Sequence, residues 1–265
     1  MNKLKKEFSV IRQIGLGFRE LFFPDRELCP VCRREPSEGG GLGIQCFSRI
    51  SLITEPICQK CGRPLRLKSA TAKLCEQCST SRYYFSQARA VALYEGALRE
   101  NLTDLKYRYR PDLGWALGLL LVEWVKLHRD FQTFDFIIPI PIHRQKLALR
   151  GYNQAELLAN PLQRYLGIAI KNDIIIRDKI TESQSVLDRS HRLANINEAF
   201  RVADTRDLAG KRILLVDDIL TTGATASEAS RVLLRGGALD VKVLTLAAGV
   251  IDSQWFIDSG INCGG

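Results

Sequence analysis

A chain of 265 residues, 46% hydrophobic and 25% charged, can bury a full core with room for one large and one small domain, and its composition excludes disorder. A formal net charge of +9 favours a polyanionic partner, either a phosphate-rich small molecule or nucleic acid, although solvated surface charge gives the same surplus. Seven of the eight cysteines precede residue 80, mostly as C-x-x-C pairs, which points away from a disulfide-stapled secreted chain and toward metal binding in a reducing compartment.

Residues 1–24 carry Phe8, Ile11, Ile14, Phe18, Leu21 and Phe22 at roughly helical spacing, predicting an amphipathic helix that packs on its own protein. Lys3, Lys5 and Lys6 precede an apolar run broken by Arg12 and Gln13, unlike a signal peptide. The most apolar later run, Leu113 to Val122, is too short to span a bilayer before Glu123 and Lys126, so no membrane span and a cytoplasmic location are expected.

Residues 25–82 form a cysteine-rich module. Cys58-x-x-Cys61 and Cys75-x-x-Cys78 are separated by thirteen residues, so two thiolate knuckles can close on a tetrahedral Zn²⁺. Four thiolates leave no open position for water, so the metal is structural. A first set, Cys29-x-x-Cys32 and Cys46, is incomplete, because Arg49 stands where the second pair would end. Either this half is degenerate or a fourth ligand comes from elsewhere, such as the remote Cys263.

From residue 85 the pattern becomes alternating strand and helix. Ala88 to Tyr94 predicts a strand, Leu98 to Leu105 a helix, and Leu113 to His128 a helix with Leu117, Leu120, Leu121, Trp124 and Leu127 on one face. Between the helices, Lys106-Tyr107-Arg108-Tyr109-Arg110 interleaves basic and aromatic residues. Such a cluster grips single-stranded nucleic acid by charge and stacking, or else places Lys106 or an arginine at a phosphate while the tyrosines pack.

Phe134 to Ile138 predicts a buried strand, which leads into Pro139-Ile140-Pro141-Ile142-His143-Arg144, where the prolines fix an extended turn. Basic side chains beyond a strand end suit a pyrophosphate. A helix over Ala155 to Leu166 and a strand over Ile168 to Ile176 follow. The polar stretch Thr181 to Asn197 has the composition of a mobile segment, with Gln184, Arg192 and Asn195 as flap residues over an anionic substrate.

The most informative stretch runs from Ile213 to Thr225. Four apolar residues read as a parallel strand buried on both faces, ending at Asp217-Asp218. Thr221, Thr222, Gly223 and Ala224 form a loop before a helix starting near Thr225, where Thr225 and Glu228 have capping-box spacing and Gly236-Gly237 stop the run. Glycine lets the backbone approach an anion, threonines add donors, and a helix N-terminus favours negative charge. The acid pair can accept hydrogen bonds from sugar hydroxyls or help hold hydrated Mg²⁺. A Walker B strand also ends in acids, but its partner G-x-x-x-x-G-K-[ST] loop does not occur in this sequence. Val241 to Leu246 predicts the final strand, and the tail 251–265 carries no readable signal.

The 213–225 stretch resembles the phosphoribosyl pyrophosphate (PRPP) motif of type I phosphoribosyltransferases. With Cys29-Pro30-Val31-Cys32, Cys58-Gln59-Lys60-Cys61-Gly62-Arg63-Pro64, Leu105-Lys106-Tyr107, Pro139-Ile140-Pro141-Ile142-His143 and Arg150-Gly151-Tyr152-Asn153-Gln154, residues 10–248 resemble the competence protein F (ComF) family. The resemblance implies an α/β fold: a type I phosphoribosyltransferase-like parallel sheet with flanking helices over residues 85–250, preceded by a small zinc-ribbon module. It also implies that Asp217 and Asp218 are the catalytic pair on the ribose hydroxyls and that Thr221, Thr222, Gly223, Ala224 and Thr225 cradle the 5′-phosphate. His143, Arg144 and Lys106 would face the pyrophosphate of Mg²⁺-bound PRPP. His191 stands where an acidic residue is usual before Arg192. Two functions are implied: phosphoribosyl transfer to an acceptor, or a non-catalytic competence protein that binds single-stranded DNA or a DNA-uptake helicase and senses PRPP.

Overall fold

The computed structural model describes residues 28–37, 39–65, 73–178 and 199–249. The helix expected within residues 1–24, the flap residues Gln184, Arg192 and Asn195, Cys263 and the tail 251–265 lie outside the described residues.

Four strands, β1 (Gln87–Leu93), β2 (Phe136–Pro139), β5 (Arg212–Leu220) and β6 (Asp240–Ala248), make an all-parallel sheet in the order β1-β6-β5-β2. Period-two alternation sends the side chains of the central strands into two different cores. Leu214, Val216, Leu244 and Leu246 pack with helices α3 (Gly96–Tyr107), α4 (Asp112–Leu127) and α6 (Gln154–Leu166). Ile213, Leu215 and Val243 pack with α7 (Ala224–Arg235) on the opposite face. Cys58, Cys61 and Cys78 belong to this second core, so the cysteine-rich segment is built into the face that carries α7. Burial on both sides explains why Ile213 to Val216 of β5 reads as a continuous apolar run, whereas β6 past Asp240 is apolar apart from Lys242 and Thr245.

Two short helices, α1 (Ile44–Ser48) and α2 (Glu76–Thr80), lie in the cysteine-rich segment, and α5 (Arg144–Arg150) follows β2. Strands β3 (Ile175–Arg177) and β4 (Phe200–Val202) pair antiparallel as a separate two-stranded sheet. Helices α4 and α6 approach closely at Gly118, where an added Cβ would lie 2.6 Å from the Leu158 carbonyl oxygen and 2.9 Å from Pro161 Cγ.

Four expectations are corrected. Strand β5 does not end before the acids but runs through Asp217 and Asp218 to Leu220, because β6 continues alongside it, pairing Asp217 with Thr245 and Leu220 with Ala248. Helix α7 starts at Ala224, next to the expected Thr225, but not through a capping box. Gly223 (φ 79°) is its cap, and Glu228 is ion-paired with Arg231 instead of closing a capping box. Of the segment Ile168 to Ile176, only its end is strand, while Ile170 makes a single parallel bridge to Ile137. Leu127, expected on the buried face of α4, is exposed at the last residue of the helix. Among the described residues no helix is long and apolar enough to cross a membrane.

Candidate functional site

In a parallel sheet the carboxyl ends of the strands open on one edge, and β5, at the centre, delivers its acids there. Asp218, on the face of Leu214 and Val216, is only 4% exposed. Lys106, in the last turn of α3, reaches across to form an ion pair with its carboxylate. Burial opposes the charge on Lys106, yet the attraction of Asp218, reinforced by Asp217, outweighs it and lifts the lysine above its ordinary pKa.

Asp217 points to the other face and keeps part of its surface accessible, while its carboxyl group is closely surrounded. Burial first, and the charge of Asp218 second, push its pKa well above the ordinary carboxylate value, against the hydrogen bond it receives from the Asp218 N–H at 2.9 Å. The two adjacent acids therefore differ in surroundings: Asp218 is ion-paired with Lys106, and the Asp217 carboxyl is raised by burial. Burial lowers the pKa of Arg177, from β3, against the opposing influence of Asp217; its guanidinium lies 5.4 Å from the centre of the Phe200 ring.

Beyond β5, Thr221 is exposed, Thr222 and Thr225 are half-buried, and Gly223 and Ala224 are buried. Thr222 Oγ1 accepts from the Ala224 N–H at 3.3 Å, and α7 begins there, so its N-terminal amides gather at the loop in an arrangement suited to an anion. Gly223 is required twice over. Its backbone is left-handed, and an added Cβ would meet the Tyr83 ring at 3.1 Å. Burial pushes the Tyr83 phenol up to about 12, so it remains a donor at neutral pH.

His143 and Arg144 follow β2, the neighbour of β5, with the Ile140 N–H bonded to the Val216 carbonyl. His143 is buried and caps α5, its Nδ1 accepting from the Gln145 N–H at 3.2 Å, whereas Arg144 is exposed. The Arg150 to Gln154 run is a brace. Gly151 takes φ 78°, the Tyr152 hydroxyl donates to the Leu105 carbonyl at 2.6 Å, Asn153 caps α6, and Arg150 donates to Gln154. That brace fixes the end of α3, and with it Lys106. The structure thus brings Lys106 to the acid pair and sets His143 and Arg144 past the adjoining strand. Arg177 and Tyr83 belong to no motif read from the sequence.

The cysteines assemble as two clusters. Cys58, Cys61, Cys75 and Cys78 present sulfurs all within 4.8 Å of one another, and Cys61 Sγ lies 3.7 Å from Cys75 Sγ. A tetrahedron of thiolates about 2.3 Å from zinc has edges of about 3.8 Å, so this donor set fits structural Zn²⁺. Hydrogen bonds from Cys61, Cys75 and Cys78 hold Cys58 below the ordinary thiol range, while the same contacts push Cys61 and Cys78 above it. Cys29, Cys32 and Cys46 form the second cluster; among the described residues it has three ligand side chains. Burial pushes Cys46 up to about 12, while backbone hydrogen bonds lower Cys32.

Two family models match: a double zinc ribbon domain over residues 18–79 and a phosphoribosyl transferase domain over residues 151–253. The DNA utilization protein YhgH of Shigella flexneri is 32% identical over 223 residues, covering 83% of this chain and 96% of the relative. Competence protein F of Haemophilus influenzae is 31% identical, covering 78% and 90%. Competence protein ComFC of Bacillus subtilis is 30% identical, covering 86% and 88%. The parallel sheet, the two thiol clusters and these relatives, aligned over nearly their full lengths, agree, and the chain belongs to the competence protein F family, which also takes in YhgH.

Proposed function

We propose that the chain binds PRPP with Mg²⁺ at the end of β5 and takes part in handling DNA during uptake, as the names of its relatives suggest. On this reading residues 25–82 are the zinc module and 85–250 the PRPP-binding domain of a cytoplasmic protein. The observation that carries it is the acid pair on a central parallel strand, with a left-handed glycine three residues past the strand's end and a helix N-terminus just after it. Asp217 and Asp218 hold the ribose hydroxyls, and residues 221–225 hold the 5′-phosphate. Lys106, Arg144 and the segment around His143 line the pyrophosphate side. Bound Mg²⁺ would neutralise charge on the leaving pyrophosphate. In transfer, the bond from ribose C1′ to pyrophosphate breaks as an acceptor atom bonds to C1′. The protein lowers the barrier by positioning and charge stabilisation. Calorimetry with magnesium-PRPP tests the assignment: Asp217→Asn with Asp218→Asn is expected to abolish the binding heat, and unchanged affinity defeats it.

A specific surface supports a second reading, binding of single-stranded DNA or of a helicase carrying it. Tyr107 and Tyr109 are 68% and 71% exposed, immediately after the lysine of the acid pair. Arg150 lies 5.6 Å from the Tyr107 ring centre, and Arg108 is exposed beside them. Stacking faces interleaved with guanidinium groups suit unpaired bases. A steep salt dependence of oligonucleotide binding, lost with Tyr107→Ala and Tyr109→Ala, is the expected result; no binding at low salt removes this reading.

A further inference from the structure

The cysteine pairs do more than surround a metal. Gln77 is the third residue of Cys75-Glu76-Gln77-Cys78 and is 9% exposed on α2. Its Oε1 accepts from Arg63 Nη1 at 2.7 Å, and its Nε2 donates to the main-chain oxygen of Thr222 at 2.9 Å. Arg63, 4% exposed, directly follows the turn of the other pair, Cys58-Gln59-Lys60-Cys61-Gly62. A guanidinium only donates and a carbonyl only accepts, so both ends of the Gln77 amide are fixed without ambiguity. Each half of the four-cysteine cluster therefore contributes one side chain to a relay that ends on the loop following β5.

That carbonyl receives a second hydrogen bond, from the Tyr83 hydroxyl at 2.8 Å, which fills its remaining lone pair. One residue on, the Tyr84 N–H donates to Ser227 Oγ in the first turn of α7 at 3.1 Å. The Thr222–Gly223 peptide is planar, so the Gly223 N–H points opposite to the Thr222 C=O. Holding the carbonyl toward the cysteine segment turns this N–H the other way, and it fixes a peptide that, next to a left-handed glycine, is otherwise among the easiest in a chain to flip.

We infer that Gln77 is a positioning residue: held by Arg63 and assisted by Tyr83, it sets the peptide plane of the Thr222–Gly223 turn so that the turn accepts a sugar 5′-phosphate. The inference rests on the phosphate-site reading above and adds to it that the cysteine module shapes the site.

The test compares the full chain with Gln77→Met, which keeps bulk but loses both hydrogen bonds, and with Gln77→Glu, which keeps the Arg63 contact but loses the donor to Thr222. Amide hydrogen exchange is followed at Thr222, Gly223 and Ala224 in ligand-free protein. Affinities are measured for ribose 5-phosphate and, separately, for magnesium pyrophosphate, alongside zinc content. Both variants are expected to speed exchange at the turn, to weaken ribose 5-phosphate by about tenfold (the loss of one buried hydrogen bond) and to leave pyrophosphate affinity and zinc content unchanged. Unaltered exchange overturns the inference, as does an equal loss for both ligands, which marks general loosening rather than positioning. A parent chain that takes neither ligand defeats the phosphate-site reading instead. The brace then stands or falls on exchange alone, supported by acceleration and overturned without it. Should the Gln77 variants shed zinc, Tyr83→Phe removes a hydrogen bond to the same carbonyl from outside the cysteine pairs, and the same comparisons decide.

Discussion

Lys106 and Asp218 are ion-paired across the junction of α3 and β5, with the lysine side chain 17% and the aspartate side chain 6% exposed. The pair joins the basic-aromatic stretch to the acid pair, so the end of α3 is set by the same contact that neutralises Asp218. Removing one member leaves the other charged and poorly hydrated, which costs more than the pair itself contributes.

Lys106→Met is therefore expected to destabilise the chain by roughly 3 kcal/mol, and Lys106→Met with Asp218→Asn by clearly less than the sum of the single changes. The raised pKa of Lys106 gives the sign of the pH effect. Its stabilisation is fully present below the unfolded lysine value of about 10.5 and is lost as pH rises through the folded value. Urea unfolding of the four chains at pH 7 measures the coupling, and additive losses would mean that no such pair operates.

Asp217 shows the same sign of pH effect from a different cause, because burial rather than an opposite charge raises its pKa. Its folded pKa lies well above the ordinary 3.8, so between those two values the folded chain holds a proton that the unfolded chain has released. Stability then falls as pH rises across this window. Asp217→Asn removes the titration and is expected to unfold at higher temperature than the parent at pH 8, with little difference near pH 4. Thermal unfolding at the two pH values checks this, and a variant less stable at pH 8 contradicts it.

Strand β5 was legible because burial on both faces leaves an unbroken apolar run from Ile213 to Val216, β6 because most of its residues are apolar, and the C-x-x-C spacing stated its own chemistry. The end of β5 was not legible, because strand length is set by the neighbour: β6 keeps pairing to Ala248, so the acids lie inside the ladder rather than after it. The Thr225 and Glu228 spacing suggested a cap, but Gly223 reaches the left-handed turn first and Arg231 takes the Glu228 carboxylate. Lys106 could be singled out as a basic residue beside aromatics. Arg177 could not, since it ends a three-residue strand whose place depends on pairing with Phe200, distant in sequence. Gln77 was hidden as an unspecified position within a metal motif.

The two thiol clusters differ in what depends on them. Cys58, Cys61 and Cys78 share a core with Ala226, Ala229 and Leu233 of α7, whereas Cys29, Cys32 and Cys46 belong to neither main core. Cys61→Ser is expected to lose bound zinc and several kcal/mol of stability, with hydrogen exchange quickening in α7. Cys32→Ser should leave α7 protected. Metal analysis with segment-resolved exchange checks both, and equal effects on α7 would contradict the division.

Gly118 tests the packing that holds the other face together. In an exposed helix interior, glycine to alanine gains about 1 kcal/mol from helix propensity. Here the new methyl would sit 2.6 Å from the Leu158 carbonyl oxygen and 2.9 Å from Pro161 Cγ, and neither the backbone of α6 nor a proline ring can rotate aside. Overpacking of this kind costs about 1–3 kcal/mol or more, so the clash outweighs the propensity gain. Gly118→Ala should therefore lower the unfolding free energy measured in urea, and larger β-branched residues should lower it further. A stabilised Gly118→Ala would mean that α4 and α6 stand farther apart than this structure has them.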